Sequence, residues 1–161
     1  MAEADRAYER ALTFLERRDR TEREVLDKLR GSGFAEEAIA SALERLREAG
    51  LIDDAGYARR YLEALIAKGR GRLRIAAEMR RKGLSDDLIR NTIEDGYTAE
   101  EERAIAAEAA RRCIAEMPDE QGTASRKATA KVSRRLVSQG FSYEVIGSAM
   151  RRVRAEQDEE F

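Results

Sequence analysis

Three stretches of the chain align without gaps and decide its fold: VLDKLRGSGF at residues 25–34, IAAEMRRKGL at 75–84 and VSRRLVSQGF at 132–141. Each stretch places a β-branched residue four positions before a long apolar residue, which puts both on one face of a helix. Each then reaches a glycine with an apolar residue after it, and an isoleucine follows six positions beyond the glycine. This joint spacing predicts an internal repeat that occurs three times.

The glycine in each stretch predicts the end of a helix. Glycine takes the left-handed conformation at little cost, and the apolar residue after it can then fold back on the last helical turn, as in a Schellman C-cap. The predicted apolar pairs are Leu29 with Phe34, Met79 with Leu84, and Leu136 with Phe141. The next helix is predicted to begin at once, with Ser85 and Ser142 as N-caps.

A longer amphipathic helix is predicted before each of these helix–turn–helix pairs. Capping boxes at Thr21–Glu24 and Thr98–Glu101 mark two helix starts, and Asp53 or Asp54 marks another. One repeat is therefore a helix, a second helix, a glycine turn and a third helix.

The repeat pattern predicts three copies, at residues 1–50, 51–97 and 98–161. The stretch Met117–Thr123, with Pro118 and Gly122, predicts a loop that lengthens the third copy. Copies of this size bury little core alone, so we expect neighbours to support one another in an elongated, curved chain.

The composition agrees with an all-α class and argues against an enzyme. Ala, Glu, Arg and Leu, which favour helices, dominate the chain. The absence of histidine removes the usual general base and the commonest metal ligand. Because Cys113 is the only cysteine, a disulfide within the chain and a multi-thiolate metal site are excluded, and we expect this thiol to be buried. The sequence predicts no catalytic residue, cofactor or metal.

No segment of the sequence predicts export from the cytoplasm or insertion into a membrane. The N-terminus lacks an apolar stretch of the signal-peptide kind, and no run of about 18 apolar residues could cross a bilayer. We therefore expect a cytoplasmic protein without a membrane partner.

Basic residues concentrate in the second copy, although the net charge of the chain is only −1. Between positions 68 and 82 the only acidic residue is Glu78. The candidate contacts for a partner or for DNA are Arg70, Arg72, Arg74, Arg80, Arg81 and Lys82. Two interpretations stay open. The cations could meet phosphates or an acidic protein groove, or those just before Gly83 could only complement the end of a helix.

The helix–turn–helix pairs also raise the possibility of DNA reading, in which the start of the second helix enters the major groove. Here those starts are acidic, with Glu36 and Glu37 in the first copy, Asp86 and Asp87 in the second, and Glu144 in the third. Phosphates would repel these carboxylates, so the sequence does not predict major-groove reading in the usual pose.

Several short motifs occur in the order and spacing of a known family. They are GLIDD at 50–54, Tyr57-Ala58, Tyr61, KGRG at 68–71, Arg74-Ile75, KGLS at 82–85, the RRDRTE region at 17–22 with Leu29 and Gly33-Phe34, and GFSYEVI at 140–146. With these motifs the chain resembles the RecX family of bacterial regulators of the RecA recombinase. Arg72 departs from the family pattern, which usually has proline there. Losing a proline at a first helical position is expected to weaken that helix start slightly.

The resemblance implies a regulatory protein without catalytic activity of its own. Members of the family bind RecA, above all the filament that RecA forms on single-stranded DNA. They limit filament growth and suppress strand exchange, ATP hydrolysis and co-protease activity, and so modulate DNA repair and the SOS response. The implied partners are the RecA filament and the single-stranded DNA in it, and we expect a monomer because no heptad seam is present. The alternative function is a free-standing helical-repeat DNA-binding protein. Asp53, Asp54, Tyr57 and Tyr61 are expected to cap and pack a helix rather than to touch a partner.

Overall fold

A computed structural model describes residues 1–118 and 126–160 of the chain, and in these residues the only regular elements are nine α-helices. The helices are α1 Glu3–Leu15, α2 Glu22–Gly31, α3 Glu36–Glu48, α4 Asp54–Ala67, α5 Arg72–Arg81, α6 Asp86–Gly96, α7 Ala99–Ala115, α8 Arg126–Ser138 and α9 Tyr143–Glu159. The all-α class and the helical repeat are confirmed. The exact boundaries of the three copies stay a prediction, and residues 119–123 of the expected loop lie outside the described residues.

Glycine turns end five of the helices. The glycines have φ values between +70° and +95°, and they are Gly33, Gly50, Gly69, Gly83 and Gly140. At each turn the residue after the glycine donates its N–H to the carbonyl five positions earlier, as from Phe141 to Leu136 at 3.1 Å. The three predicted Schellman caps are confirmed, and Gly50 and Gly69 add two more.

The predicted helix starts are also present. Both capping boxes form, and in the first the Glu24 N–H donates to the Thr21 hydroxyl oxygen at 3.2 Å. The hydroxyls of Ser85 and Ser142 accept N–H groups three positions on, at 3.2 Å each. At the start of α4 the cap is Asp53, whose carboxylate accepts the N–H of Gly56 at 3.1 Å.

The chain forms two compact units, each with its own core. The first unit consists of Met1–Tyr61 and Glu78–Thr92, and the second of Leu62–Ala77 and the described part of Ile93–Phe161. In the first unit α1, α2 and α3 bury an apolar cluster in which Val25 and Leu29 are inaccessible to solvent. In the second unit α7, α8 and α9 bury an equivalent cluster, which includes Cys113. The predicted burial of this thiol is confirmed.

Within the first unit, the start of α2 lies against the turn between α5 and α6. The Thr21 hydroxyl, which caps α2, donates to the carbonyl of Lys82 at 2.5 Å. Gly83 lies so close to the side chain of Arg23 that a methyl group on Gly83 would overlap the Cβ of Arg23. Glycine is therefore required here for close approach as well as for its φ value.

The second unit repeats this contact between the start of α5 and the turn between α8 and α9. The Gly71 N–H donates to the carbonyl of Gln139 at 2.8 Å, and the Leu73 N–H donates to that of Gly140 at 3.0 Å. A methyl group on Gly140 would overlap the backbone and the Cβ of Arg74. We call this arrangement, in which the start of one repeat's middle helix meets the glycine turn of the next repeat, the inter-repeat joint.

The inter-repeat joint leads us to expect different effects of mutation at two equivalent glycines, Gly33 and Gly140. Gly33 has a left-handed φ but open space around its Cα, whereas Gly140 has both a left-handed φ and Arg74 against it. Gly33→Ala should cost about 1–2 kcal/mol of unfolding free energy because of its backbone conformation. Gly140→Ala should cost about 2 kcal/mol more, because the joint must open to admit a methyl group. Urea unfolding followed by circular dichroism measures both, and equal losses would contradict the role given to the joint.

Candidate partner-binding site

The candidate cations begin at the short link between α4 and α5. Gly69 closes α4, and its φ of +78° lets Arg70 donate its N–H to the carbonyl of Leu65 at 3.1 Å. Gly71 then lies against the third repeat, where a Cβ would overlap the carbonyl of Gly140. The two glycines of this link are therefore fixed by different constraints, the first by backbone conformation and the second by space.

Arg72, the first residue of α5, belongs to the second unit, where Glu102 and Tyr97 hold its side chain. Its N–H donates to Glu102 Oε2 at 2.7 Å, and its guanidinium Nε lies 3.3 Å from Glu102 Oε1. The guanidinium also donates to the carbonyl of Tyr97 and lies 5.5 Å from the centre of that ring. Glu102 is only 4% exposed, and Arg72 is the cation that pairs with its buried carboxylate.

Tyr97 completes this cluster. Its side chain is fully buried, its hydroxyl donates to the carbonyl of Arg70 at 3.0 Å, and burial raises its pKa. The weakened helix start expected from the loss of proline is thus offset by a buried carboxylate that caps α5 through the Arg72 N–H. Sequence reasoning missed both Tyr97 and Glu102, because they lie 25 and 30 residues beyond Arg72.

The two other cations at this end of α5 are partly buried. The Nε of Arg70 is shielded from solvent and has no hydrogen-bond acceptor among the described residues. Arg74 donates from its guanidinium to the carbonyl of Ser138 at 3.2 Å, close to the inter-repeat joint. This joint therefore carries positive charge, although part of that charge is used in contacts within the second unit.

The remaining three candidates lie at the end of α5 and belong to the first unit. Arg80 pairs with Asp86 at 3.0 Å, but both side chains are more than half exposed, so the pair adds little stability. Arg81 is exposed and makes no ion pair within the described residues. The ammonium of Lys82 lies 5.9 Å from the centre of the Tyr61 ring. These cations can meet a partner at little structural cost.

The six candidates therefore form two groups of three, one in each unit. The group in the second unit is partly taken up by structural contacts, and Arg72 above all is held by Glu102. The group in the first unit presents its charge to solvent. That these residues bind a partner stays a prediction.

The acidic and aromatic residues of the family motif have structural contacts. Asp53 caps α4, while Asp54 accepts the N–H of Glu22 at 2.9 Å, and its burial raises the pKa of its carboxyl. The rings of Tyr57 and Tyr61 lie 5.8 Å apart, and burial raises the pKa of both phenols. These contacts support a capping and packing role for the four residues.

Residues 1–118 and 126–160 contain neither a metal-binding cluster nor a membrane-spanning helix. No group of three or more Cys, Asp or Glu side chains there is arranged to hold a metal ion. In the same residues no helix is long and apolar enough to cross a bilayer.

Comparison with known proteins accounts for the motifs around these residues. The model of the first three-helix domain of RecX matches residues 7–46, and that of the second three-helix domain matches residues 53–93. The chain belongs to the RecX family. The second match spans all six candidate cations, and both matches occur in the order expected of this family.

Relatives and solved structures agree with this assignment. The regulatory protein RecX of Chromohalobacter salexigens is 33% identical over 140 residues, which cover 87% of this chain and 88% of the relative. RecX of a Mycobacterium species (strain JLS) is 32% identical, with 88% of this chain and 80% of the relative covered. The crystal structure of RecX from Lactobacillus salivarius matches with a TM-score of 0.82 at 24% identity, over 95% of this chain and 97% of the other. The similarity to that structure concerns the fold alone.

Replacing Arg72 by proline, the residue that the resemblance leads us to expect there, should destabilise this protein. Arg72→Pro removes the N–H that Glu102 accepts and the cation that pairs with it, which leaves a buried carboxylate without a partner. We expect a loss of about 3 kcal/mol in unfolding free energy.

Arg72→Lys, which retains the N–H and a positive charge, is the matched control and should lose less than half as much. Adding Glu102→Leu to Arg72→Pro should recover most of the loss, because no buried charge then remains. Urea denaturation of the unmodified protein, Arg72→Pro, Glu102→Leu and the double variant measures this coupling, with Arg72→Lys measured beside them. If Arg72→Pro were neutral or stabilising, the pair would not be what holds the start of α5.

Proposed function

We propose that this RecX-family protein acts in the cytoplasm by binding the filament that the RecA recombinase forms on single-stranded DNA, and that it thereby restrains the filament. The consequences would be slower filament growth and lower strand exchange, ATP hydrolysis and co-protease activity. The observation that carries the proposal is the ordered match of both RecX domain models to the chain. The relatives are named regulatory proteins, which agrees with an effect exerted by binding rather than by catalysis.

The cations at the two ends of α5, among which Arg80 and Arg81 are exposed, support an electrostatic contribution to this binding. A filament assembled on DNA carries phosphates, and clustered positive charge speeds and strengthens association with such a surface at low salt. The proposed contacts are Arg70, Arg74, Arg80, Arg81 and Lys82. We assign Arg72 a different role, that of holding the start of α5, because its charge is already paired with Glu102.

The alternative function, a free-standing DNA-binding protein, receives less support from the helix starts. The first turns of α3 and α6 carry Glu36, Glu37, Asp86 and Asp87, and α9 begins with Glu144 in its first turn. Phosphates would repel these carboxylates if the helices entered a major groove in the usual pose. Recombinase-dependent inhibition therefore agrees better with the charge distribution.

ATP turnover by the cognate recombinase on single-stranded DNA tests the proposed function. The purified protein should inhibit turnover at a molar ratio to recombinase well below one, because each bound regulator would affect many filament subunits. No inhibition at such a ratio would exclude the proposal. The double variant Arg80→Ala with Arg81→Ala should need about fivefold more protein for half-inhibition, which corresponds to about 1 kcal/mol from two exposed charges.

The matched control is Arg59→Ala with Arg90→Ala. Arg90 pairs with Asp87 at 2.7 Å much as Arg80 pairs with Asp86, and Arg59, like Arg81, is exposed without an ion pair in the described residues. The control should inhibit like the unmodified protein. If both double variants inhibited equally weakly, the loss of inhibition would depend on overall charge rather than on the position of Arg80 and Arg81.

A further inference from the structure

A small cationic pocket lies between α1 and α2, entirely within the first unit, and none of the candidate cations around α5 is among its lining residues. Its volume is about 180 Å³, and its lining consists of Arg10, Thr13, Phe14, Arg17, Arg20 and Lys28. Four of these six side chains are cations, and none is a carboxylate. We call this site the α1–α2 pocket.

Most of the positive charge in the pocket is not neutralised by the protein. Arg10, Arg17 and Lys28 are exposed and make no ion pair within the described residues. The neighbouring carboxylates have other partners. Asp27 pairs with Arg23 at 3.3 Å, and the Glu24 carboxylate accepts the Thr21 N–H in the capping box of α2. An anion entering the pocket would therefore meet uncompensated cations.

Arg20 gives the clearest indication of a ligand. Its side chain is only 13% exposed, and its one ion pair is a long contact of 3.7 Å to Glu24. Its Nε is shielded from solvent and has no hydrogen-bond acceptor among the described residues. A buried N–H without an acceptor costs about 1–3 kcal/mol, so the protein alone does not fully satisfy this guanidinium.

Phe14 orients the cations rather than offering an apolar anchor. The guanidinium of Arg20 lies 4.1 Å from the centre of the ring, and the ammonium of Lys28 lies 5.5 Å from it. Interfaces with protein partners depend on aromatic or apolar anchors that become buried. Here the only ring is already covered by Arg20, so the pocket suits an anion better than a protein side chain.

We propose that the α1–α2 pocket binds phosphate groups of a nucleic-acid backbone. Guanidinium groups match the geometry of phosphate oxygens, and arginine supplies three of the four cations. Arg10 lies on α1, Arg17 and Arg20 on the link that follows it, and Lys28 on α2, so the cations surround the pocket from three segments and can meet several phosphate oxygens. The volume lies below the range of about 300–1,000 Å³ that is usual for small-molecule pockets, which leaves sugar and base outside.

This inference does not rest on the proposed function, because its test contains no recombinase. The triple variant Arg10→Gln, Arg17→Gln and Lys28→Gln removes three exposed charges and retains Arg20, which packs on Phe14. The probe is a fluorescein-labelled 30-nucleotide oligothymidylate, and fluorescence anisotropy over a range of salt concentrations gives the association constant of the full chain.

The triple variant should bind the probe at least tenfold more weakly at about 0.1 M salt. The slope of log association constant against log salt should decrease by about 2, because three phosphate contacts on a single strand contribute about 0.7 each. The control triple Arg59→Gln, Arg103→Gln and Lys127→Gln removes the same number of exposed charges elsewhere and should retain the slope.

Three outcomes would overturn the proposal. Equal losses in both triple variants would show an effect of net charge alone. Displacement of the probe by poly-glutamate as effectively as by unlabelled oligothymidylate would assign the pocket to an acidic protein segment. Displacement by thymidine triphosphate at micromolar concentration would assign it to free nucleotides.

Discussion

The structure depends on glycines at the points where two repeats meet, because the close approach there leaves no space for a Cβ. A left-handed glycine ends one helix and lets the next begin within a few residues, which any Schellman turn achieves. Gly83 and Gly140 have a second constraint, because Arg23 and Arg74 occupy the space that a side chain would need. Gly33, which is not at a joint, has open space around it. In the first repeat the glycine is thus required only for its backbone conformation. In the other two repeats it is required for close packing as well.

The joint also ties parts of the middle repeat to the first repeat in one unit and to the third repeat in the other. Its contacts involve the backbone, through the Thr21 hydroxyl on the Lys82 carbonyl in the first unit and the Gly71 N–H on the Gln139 carbonyl in the second. Such bonds constrain the position of a helix start more narrowly than apolar contact does, since they depend on distance and direction. In the second unit this constraint extends to Arg72, which follows Gly71 and is held by Glu102. Arg72, which lies next to this joint, is therefore a structural residue of the second unit.

Local signals made the repeat predictable from sequence. The residues that the cations contact could not be predicted in this way. Schellman turns and capping boxes are complete within about six residues, so residue type and spacing are sufficient to find them. The contacts of Arg72 with Glu102 and of Thr21 with Lys82 span 30 and 61 residues and depend on how the helices pack. Counting basic residues between positions 68 and 82 therefore found a positive segment, but it could not separate Arg72, which is paired internally, from Arg81, which is exposed. The α1–α2 pocket was missed for the same reason, because its cations come from α1, from α2 and from the link between them.

The nearly neutral net charge makes the placement of the cations functionally important. With 31 basic and 32 acidic residues, the chain as a whole is not attracted to nucleic acid, so any attraction must come from local excess. Carboxylates in the first turns of α3, α6 and α9 would repel phosphates, while the α1–α2 pocket and the end of α5 would attract them. On the proposed filament, these opposite local charges would favour some orientations and disfavour others. Exposed charges of this kind contribute modest energies, and salt weakens them.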